Sequence, residues 1–370
     1  MDHENFRAES SAIPGRPDEL TARWLTTALG GAGTALVEQV DVEPIGTGQT
    51  GATYRLTASY RTPPPTTRLP DTFVVKLPAQ DDGVRAGVTL GYRSEVEFYS
   101  GIAQQTKVPV PHCHHSAVND DASEFVLLLD DLAPAAPGDQ VAGCGEAIAL
   151  RAVTALAGLH GPSWCDPDWL TIPAGAMPKP GDAAAADGLG QVAALALPAT
   201  LERIGPALSG DERDTLRAAL ELITPWLLAD TGRYALMHGD YRLDNMLFDD
   251  SRFYVVDWQT LGVGLPARDL AYFTGTCLEP ELRAAAETRL VGAYHAALLR
   301  YGVRDYDLDT CLLDYRIGML QGPLIIALGT AFATPTERGE ALFRVMLRRS
   351  CRAIRELGTL DLVRAAGAHL

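Results

Sequence analysis

The stretch His238-Gly239-Asp240-Tyr241-Arg242-Leu243-Asp244-Asn245, followed by Phe253-Tyr254-Val255-Val256-Asp257-Trp258-Gln259, governs how the rest of the chain is read. It lies between two short apolar runs, Tyr234-Ala235-Leu236-Met237 and Asn245-Met246-Leu247-Phe248, which predicts a loop held at both ends by short strands. On such a loop Asp240 offers a carboxylate that can accept or orient a hydroxyl proton. Asn245, five residues on, offers a neutral amide oxygen, and Asp257, twelve residues beyond Asn245 at the end of an apolar strand, adds a hard carboxylate. Asn245 and Asp257 are therefore candidate ligands for Mg²⁺. Arg242 supplies a fixed cation that suits a phosphoryl group in transfer. Together these point to phosphoryl-transfer chemistry with Asp240 as base. The bland alternative is that Asp240, Asp244, Asp249 and Asp250 are solvated turn carboxylates, since Asp and Asn favour turns. His238 reads as a packed structural residue, because Asp240 already fills the base role.

Features upstream weigh against the bland alternative. Gly46-Thr47-Gly48-Gln49-Thr50-Gly51 is a GxGxxG pattern, shared by dinucleotide folds and by flaps over ATP phosphates. In a dinucleotide fold the glycines open a helix, whereas here they lead into Ala52–Tyr60, rich in Thr and Tyr and alternating like a strand. A glycine-rich hairpin over ATP is the reading that follows, with Gly46, Gly48, Gln49, Thr50 and Gly51 as nucleotide-binding residues. After Pro63-Pro64-Pro65, the strand Thr72-Phe73-Val74-Val75-Lys76-Leu77 carries one interior lysine, costly unless paired or snorkelling. The helical run Tyr92–Tyr99 provides the partner, Glu95 first and Glu97 second, so that Lys76 is turned toward the phosphates. Glu124–Leu132 reads as a strand whose end, Asp130 to Leu132, meets adenine through backbone groups.

The combination resembles the aminoglycoside phosphotransferase and choline kinase superfamily. The resemblance rests on HGDYRLDNMLF, VVDWQ and GLPARDLAYF, and with EVEFY, LLLDDL and ALAGLHGPSW it is most similar to the ecdysteroid-kinase-like branch, over roughly residues 40–360. It implies an α+β, protein-kinase-like two-lobe fold: an N-terminal extension with a short helix (1–35), an antiparallel-sheet lobe (36–132) and a mainly helical lobe (133–370), with ATP between the lobes. It also implies Asp240 as catalytic aspartate, Asn245 and Asp257 as Mg²⁺ ligands, Lys76 as the phosphate lysine, and Asp269 as a brace for the catalytic loop. Asp130 stands where many relatives carry Glu.

Only eleven residues separate Asp257 from Asp269, which leaves no room for the long activation segment that forms a peptide platform in protein kinases. The acceptor is then a small hydroxyl compound, taken by a pocket in the C-terminal helices that includes Asp314, Tyr315 and Gln321. A net charge of -16 argues against nucleic acid and anionic membranes as partners, and the 47% apolar content suffices for a large core. The six cysteines, at 113, 144, 165, 277, 311 and 351, have no CxxC spacing and suit reduced cytoplasmic thiols. His112-Cys113-His114-His115 is too crowded for one tetrahedral metal. The polar start suggests no signal peptide, Ile317–Phe332 suggests a buried helix, and 171–197, rich in Ala, Gly and Pro, suggests a mobile loop or lid. A monomer or homodimer is expected.

Overall fold

Leu56, Ala58, Phe73, Val75 and Leu77 recur at every second position of two strands and are at most 5% exposed, so one face of a sheet builds the first core. The computed structural model describes residues 13–30, 37–46, 50–61, 69–172, 175, 177–229, 232–249 and 252–367. The sheet is antiparallel, in the order β1 (Val37–Pro44), β2 (Gly51–Tyr60), β3 (Thr72–Pro78), β5 (Phe125–Asp130), β4 (Cys113–Val118). Helix α1 (Ala22–Ala28), N-capped by Thr21, sends Leu25 into the same core, as Leu20 does just before it. The N-terminal helix is thus part of the sheet unit's core. Helices α2 (Asp82–Gly87) and α3 (Thr89–Glu97) follow β3, and α3 runs on into a π-helical turn, Phe98–Ile102.

The chain divides into two compact units: residues 1–104 with 110–134, and residues 105–109 with 135–370. The short excursion at 105–109 has a physical cause. The Lys107 amide donates to Gly158 O at 2.8 Å and Pro109 O accepts from the Val255 amide at 2.8 Å, both in the helical unit.

That second unit is mainly helical. It holds β6 (Ala136–Pro137), α4 (Glu146–His160), α5 (Ala183–Arg203), α6 (Gly210–Glu221) and α7 (Ile223–Leu228). Next come β7 (Ala235–Met237), β8 (Met246–Phe248), β9 (Phe253–Val255) and β10 (Gly262–Gly264). It closes with α8 (Ala267–Cys277), α9 (Pro280–Arg300), α10 (Leu308–Gly318), α11 (Gln321–Phe332), α12 (Glu337–Leu357) and α13 (Thr359–Gly367). The short strands pair as β10–β7 and β6–β8–β9. α8 is buried at every position and forms the centre, with α10, α11 and α12 packed on it.

The loop expected at 171–197 is corrected by α5. Asp182 caps its start by accepting from the Ala185 amide at 3.0 Å, and Ala186, Ala193, Ala196 and Thr200 are its buried stripe. Alanine is the strongest helix former, so the alanine-rich composition specifies a helix despite Gly188, Gly190 and Pro198. Among the described residues two helical stretches, Ala183–Arg203 and Leu308–Phe332, are long and apolar enough to cross a membrane; 72% of the second's apolar window is buried within the fold, as in a core helix, against 22% for the first.

Candidate active site

Met237 ends β7, and the chain then turns sharply because Asp269, near the start of α8, collects two successive amides. His238 N donates to Asp269 Oδ2 at 2.7 Å and Gly239 N to Oδ1 at 2.9 Å. The carboxylate is fully buried and is met from behind by His160 Nε2 at 3.3 Å, while His160 Nδ1 lies 2.7 Å from the Tyr294 hydroxyl. Gly239 has φ +82°, and a Cβ there would sit 2.5 Å from Thr260 O, so only glycine fits the turn. Gln321 Nε2 donates to Gly239 O at 2.9 Å, and Gln140 Oε1 accepts from Leu243 N at 2.9 Å. The loop is held by backbone bonds along its length. His238 keeps a structural place, with Nε2 on Val256 O at 3.1 Å and Nδ1 accepting from the Asp240 amide at 3.3 Å.

On that frame stands the Asp240 carboxylate. Tyr272, on α8, donates its hydroxyl to Oδ1 at 2.6 Å; Arg242 Nε and Asn245 Nδ2 each reach Oδ2 at 3.0 Å. Asn245 Nδ2 also donates to Asp240 O at 2.9 Å. Arg242 lies 3.6 Å from Asp244 Oδ2 as well, so its cation stands between two carboxylates, with its side chain as exposed as that of Asp240, 19% for each. Burial alone would depress the Arg242 pKa, but Asp240, the Tyr272 oxygen, Asp244 and Asp257 outweigh it and the net shift is upward. The guanidinium stays charged.

Asp257 is brought to the same place by the β8–β9 hairpin. Met246 pairs with Val255, and the Val256 amide donates to Asn245 O at 3.0 Å, so Asn245 and Asp257 lie at one end of that hairpin. Asp257 takes φ +66° and ψ +69°, a left-handed conformation uncommon outside glycine. The donor set fits a hard divalent cation: one carboxylate and an amide whose nitrogen is committed to Asp240, leaving its oxygen for the metal. Among the described residues no group of three or more His, Cys, Asp or Glu could hold a metal alone. Mg²⁺ held here would take its remaining ligands from water and phosphate, as this cation commonly does.

In the sheet unit, Lys76 Nζ lies 2.6 Å from Glu95 Oε2, with the Lys76 side chain 14% and the Glu95 side chain 2% exposed. The register places Lys76 opposite Thr53 on β2. Gly51 comes so close to that lysine that a Cβ would stand 3.3 Å from Lys76 Cε and 3.2 Å from Leu77 O. Gly46 has φ +82° and Thr50 precedes β2; Thr47, Gly48 and Gln49, like Pro63-Pro64-Pro65, lie outside the described residues. The Tyr92 hydroxyl donates to Thr50 O at 2.6 Å and accepts from Ala79 N at 2.9 Å, tying the glycine hairpin to the end of β3. Asp130 is already engaged on the β4 side: its amide donates to His112 O at 2.9 Å and Oδ1 lies 2.7 Å from His114 Nε2. Leu132, just beyond β5, is half-buried.

The model of the phosphotransferase enzyme family matches residues 41–307. The chain belongs to that family. Among curated proteins none matches the sequence. Solved structures share the fold of this phosphotransferase-family chain. A protein of Ralstonia eutropha JMP134 assigned as an aminoglycoside phosphotransferase superposes with TM-score 0.53 at 17% identity over 90% of this chain and 97% of its own. A microcompartment-associated aminopropanol kinase gives 0.54 at 17% identity, over 87% of this chain and 94% of its own. A choline/ethanolamine kinase family protein of Mesorhizobium loti gives 0.51 at 17% identity over 100% of both.

The three residues expected to line an acceptor pocket are distributed otherwise. Asp314 is buried in a two-pronged pair with Arg233, at 2.6 Å on each oxygen, and also takes the Tyr306 hydroxyl at 3.1 Å. Tyr315 is buried against Thr274 and Glu287. Only Gln321 reaches the loop of this phosphotransferase-family site. Sequence reasoning missed Tyr272, Gln140 and Tyr92. For Tyr272 a signal existed: it follows Asp269 by three residues, on the same helical face.

Proposed function

We propose that this chain is a small-molecule kinase that moves the γ-phosphate of ATP to a hydroxyl group. The observation that carries the reading is Asp240, a carboxylate fixed by Tyr272, Arg242 and Asn245 on a loop gripped by Asp269, in a chain of the phosphotransferase family. Asp240 would accept the acceptor's hydroxyl proton as the new bond to phosphorus forms. In the sheet unit, Lys76, oriented by Glu95, would meet the nucleotide phosphates, with the glycine hairpin over them. In the helical unit, Asn245 Oδ1 and Asp257 would hold Mg²⁺, which when bound supplies charge neutralisation to those phosphates.

A small acceptor is favoured over a peptide by the segment after Asp257. It passes through a single 3₁₀ turn, Trp258–Thr260, and β10 into α8, and nearly all of it is buried, leaving no exposed platform. Our assignment to the ecdysteroid-kinase-like branch rests on the quoted motifs, and the free state of all six cysteines supports a cytoplasmic location. ADP release from MgATP tests the reading, measured over a panel of alcohols including 1-amino-2-propanol, ethanolamine, choline, an aminoglycoside and hydroxysteroids. Turnover with at least one is expected; efficient labelling of a peptide panel with none of the alcohols active would overturn it in favour of a protein kinase.

A further inference from the structure

The two oxygens of Asp240 are unequally occupied. Oδ2 takes Arg242 Nε and Asn245 Nδ2, both at 3.0 Å, whereas Oδ1 takes the Tyr272 hydroxyl at 2.6 Å. A carboxylate oxygen offers two lone-pair directions, so Oδ2 is filled and one direction remains on Oδ1. The source of this asymmetry is α8. Asp269 and Tyr272 stand three residues apart on one helical face; the first holds the loop's backbone and the second holds its carboxylate. Tyr272 is 1% exposed, so its hydroxyl is placed by the packing of α8. Asp240 itself keeps 19% of its side chain exposed, enough for a substrate group to reach it.

Resting on the reading of Asp240 as base, we propose that Tyr272 is a positioning residue that reserves Oδ1 of Asp240 for the acceptor. The acceptor's hydroxyl donates to the remaining lone pair of Oδ1 and so approaches on the Tyr272 side, away from Arg242 and Asn245. Its oxygen then bonds to the γ-phosphorus, the bond from that phosphorus to the bridging oxygen breaks with its electron pair leaving on ADP, and the acceptor's proton passes to Oδ1. Tyr272 keeps its own proton, because burial and the neighbouring Asp240 charge hold its hydroxyl well above the ordinary phenol range.

Tyr272→Phe removes one oxygen and keeps the ring's packing. Steady-state ADP release from MgATP is compared for the wild type, Tyr272→Phe, Asp240→Asn and the double variant, with water as the acceptor and then with an alcohol that the wild type turns over. Tyr272→Phe is expected to lower kcat about tenfold with the KM for ATP within about twofold, and the double variant to be no slower than Asp240→Asn alone. A Tyr272→Phe enzyme at wild-type kcat, or a tenfold loss that persists undiminished in the Asp240→Asn background, overturns the proposal while Asp240 stands. Asp240→Asn at wild-type rate removes the base reading and this inference with it.

Discussion

Asp269 binds the Gly239 amide on Oδ1 at 2.9 Å, so the turn that carries Asp240 is folded around a buried charge from another helix. Replacing Asp269 by Asn would present an NH₂ to one of two amides that now meet carboxylate oxygens. The expected cost is about 3 kcal/mol, as for a charged hydrogen-bond partner removed from a buried site. Urea unfolding of Asp269→Asn should show a lower midpoint with little change in slope; a midpoint equal to the wild type's would show that the loop does not depend on that charge.

Much of the candidate cluster in each unit is written in adjacent residues. Asp240, Asn245 and Asp257 lie on one loop and its following hairpin, and Lys76 announces a partner because a lysine inside an apolar strand is costly when unpaired. The contributions of Tyr272, Gln140 and Tyr92 arise instead from contacts made across 32, 103 and 42 residues; only Tyr272, three residues after Asp269 on one helical face, carries a local mark. The antiparallel sheet and helical C-terminal half were readable from strand alternation and helical runs. At α5 the reading failed because composition was weighed without propensity: the same alanines that look like low complexity are helix formers.

Tyr92 links the glycine hairpin to β3 through one oxygen, and its ring stacks on Phe125 with centroids 4.3 Å apart. Tyr92→Phe keeps the stack and frees Thr50 O and Ala79 N. The KM for ATP should rise about fivefold with a smaller change in kcat, the signature of a misplaced binding element. Initial-rate kinetics at varied ATP measure this, and an unaltered KM would show that the hairpin is set by other contacts.

The Lys76–Glu95 pair is nearly closed to solvent on the glutamate side. Glu95→Gln should leave Lys76 charged but less firmly aimed, weakening ATP use about tenfold in kcat/KM, and Lys76→Ala should cost more. Equal activity of Glu95→Gln and wild type would rule out an orienting role.

Metal dependence follows from the hard-oxygen set of Asn245 and Asp257. Turnover should vanish in excess chelator and return with Mg²⁺ or Mn²⁺, and Asp257→Ala should remain inactive at any concentration of either. Full activity in chelator would remove Asn245 and Asp257 from the account.

Asp240→Asn asks whether Asp240 handles the acceptor's proton, because the amide is nearly isosteric with the carboxylate. Calorimetric titration with MgATP and a coupled ADP assay on the same preparation separate binding from chemistry. Nucleotide affinity should stay close to wild type while kcat falls by roughly 10²–10⁴; turnover at the wild-type rate would show that Asp240 does not take the acceptor's proton.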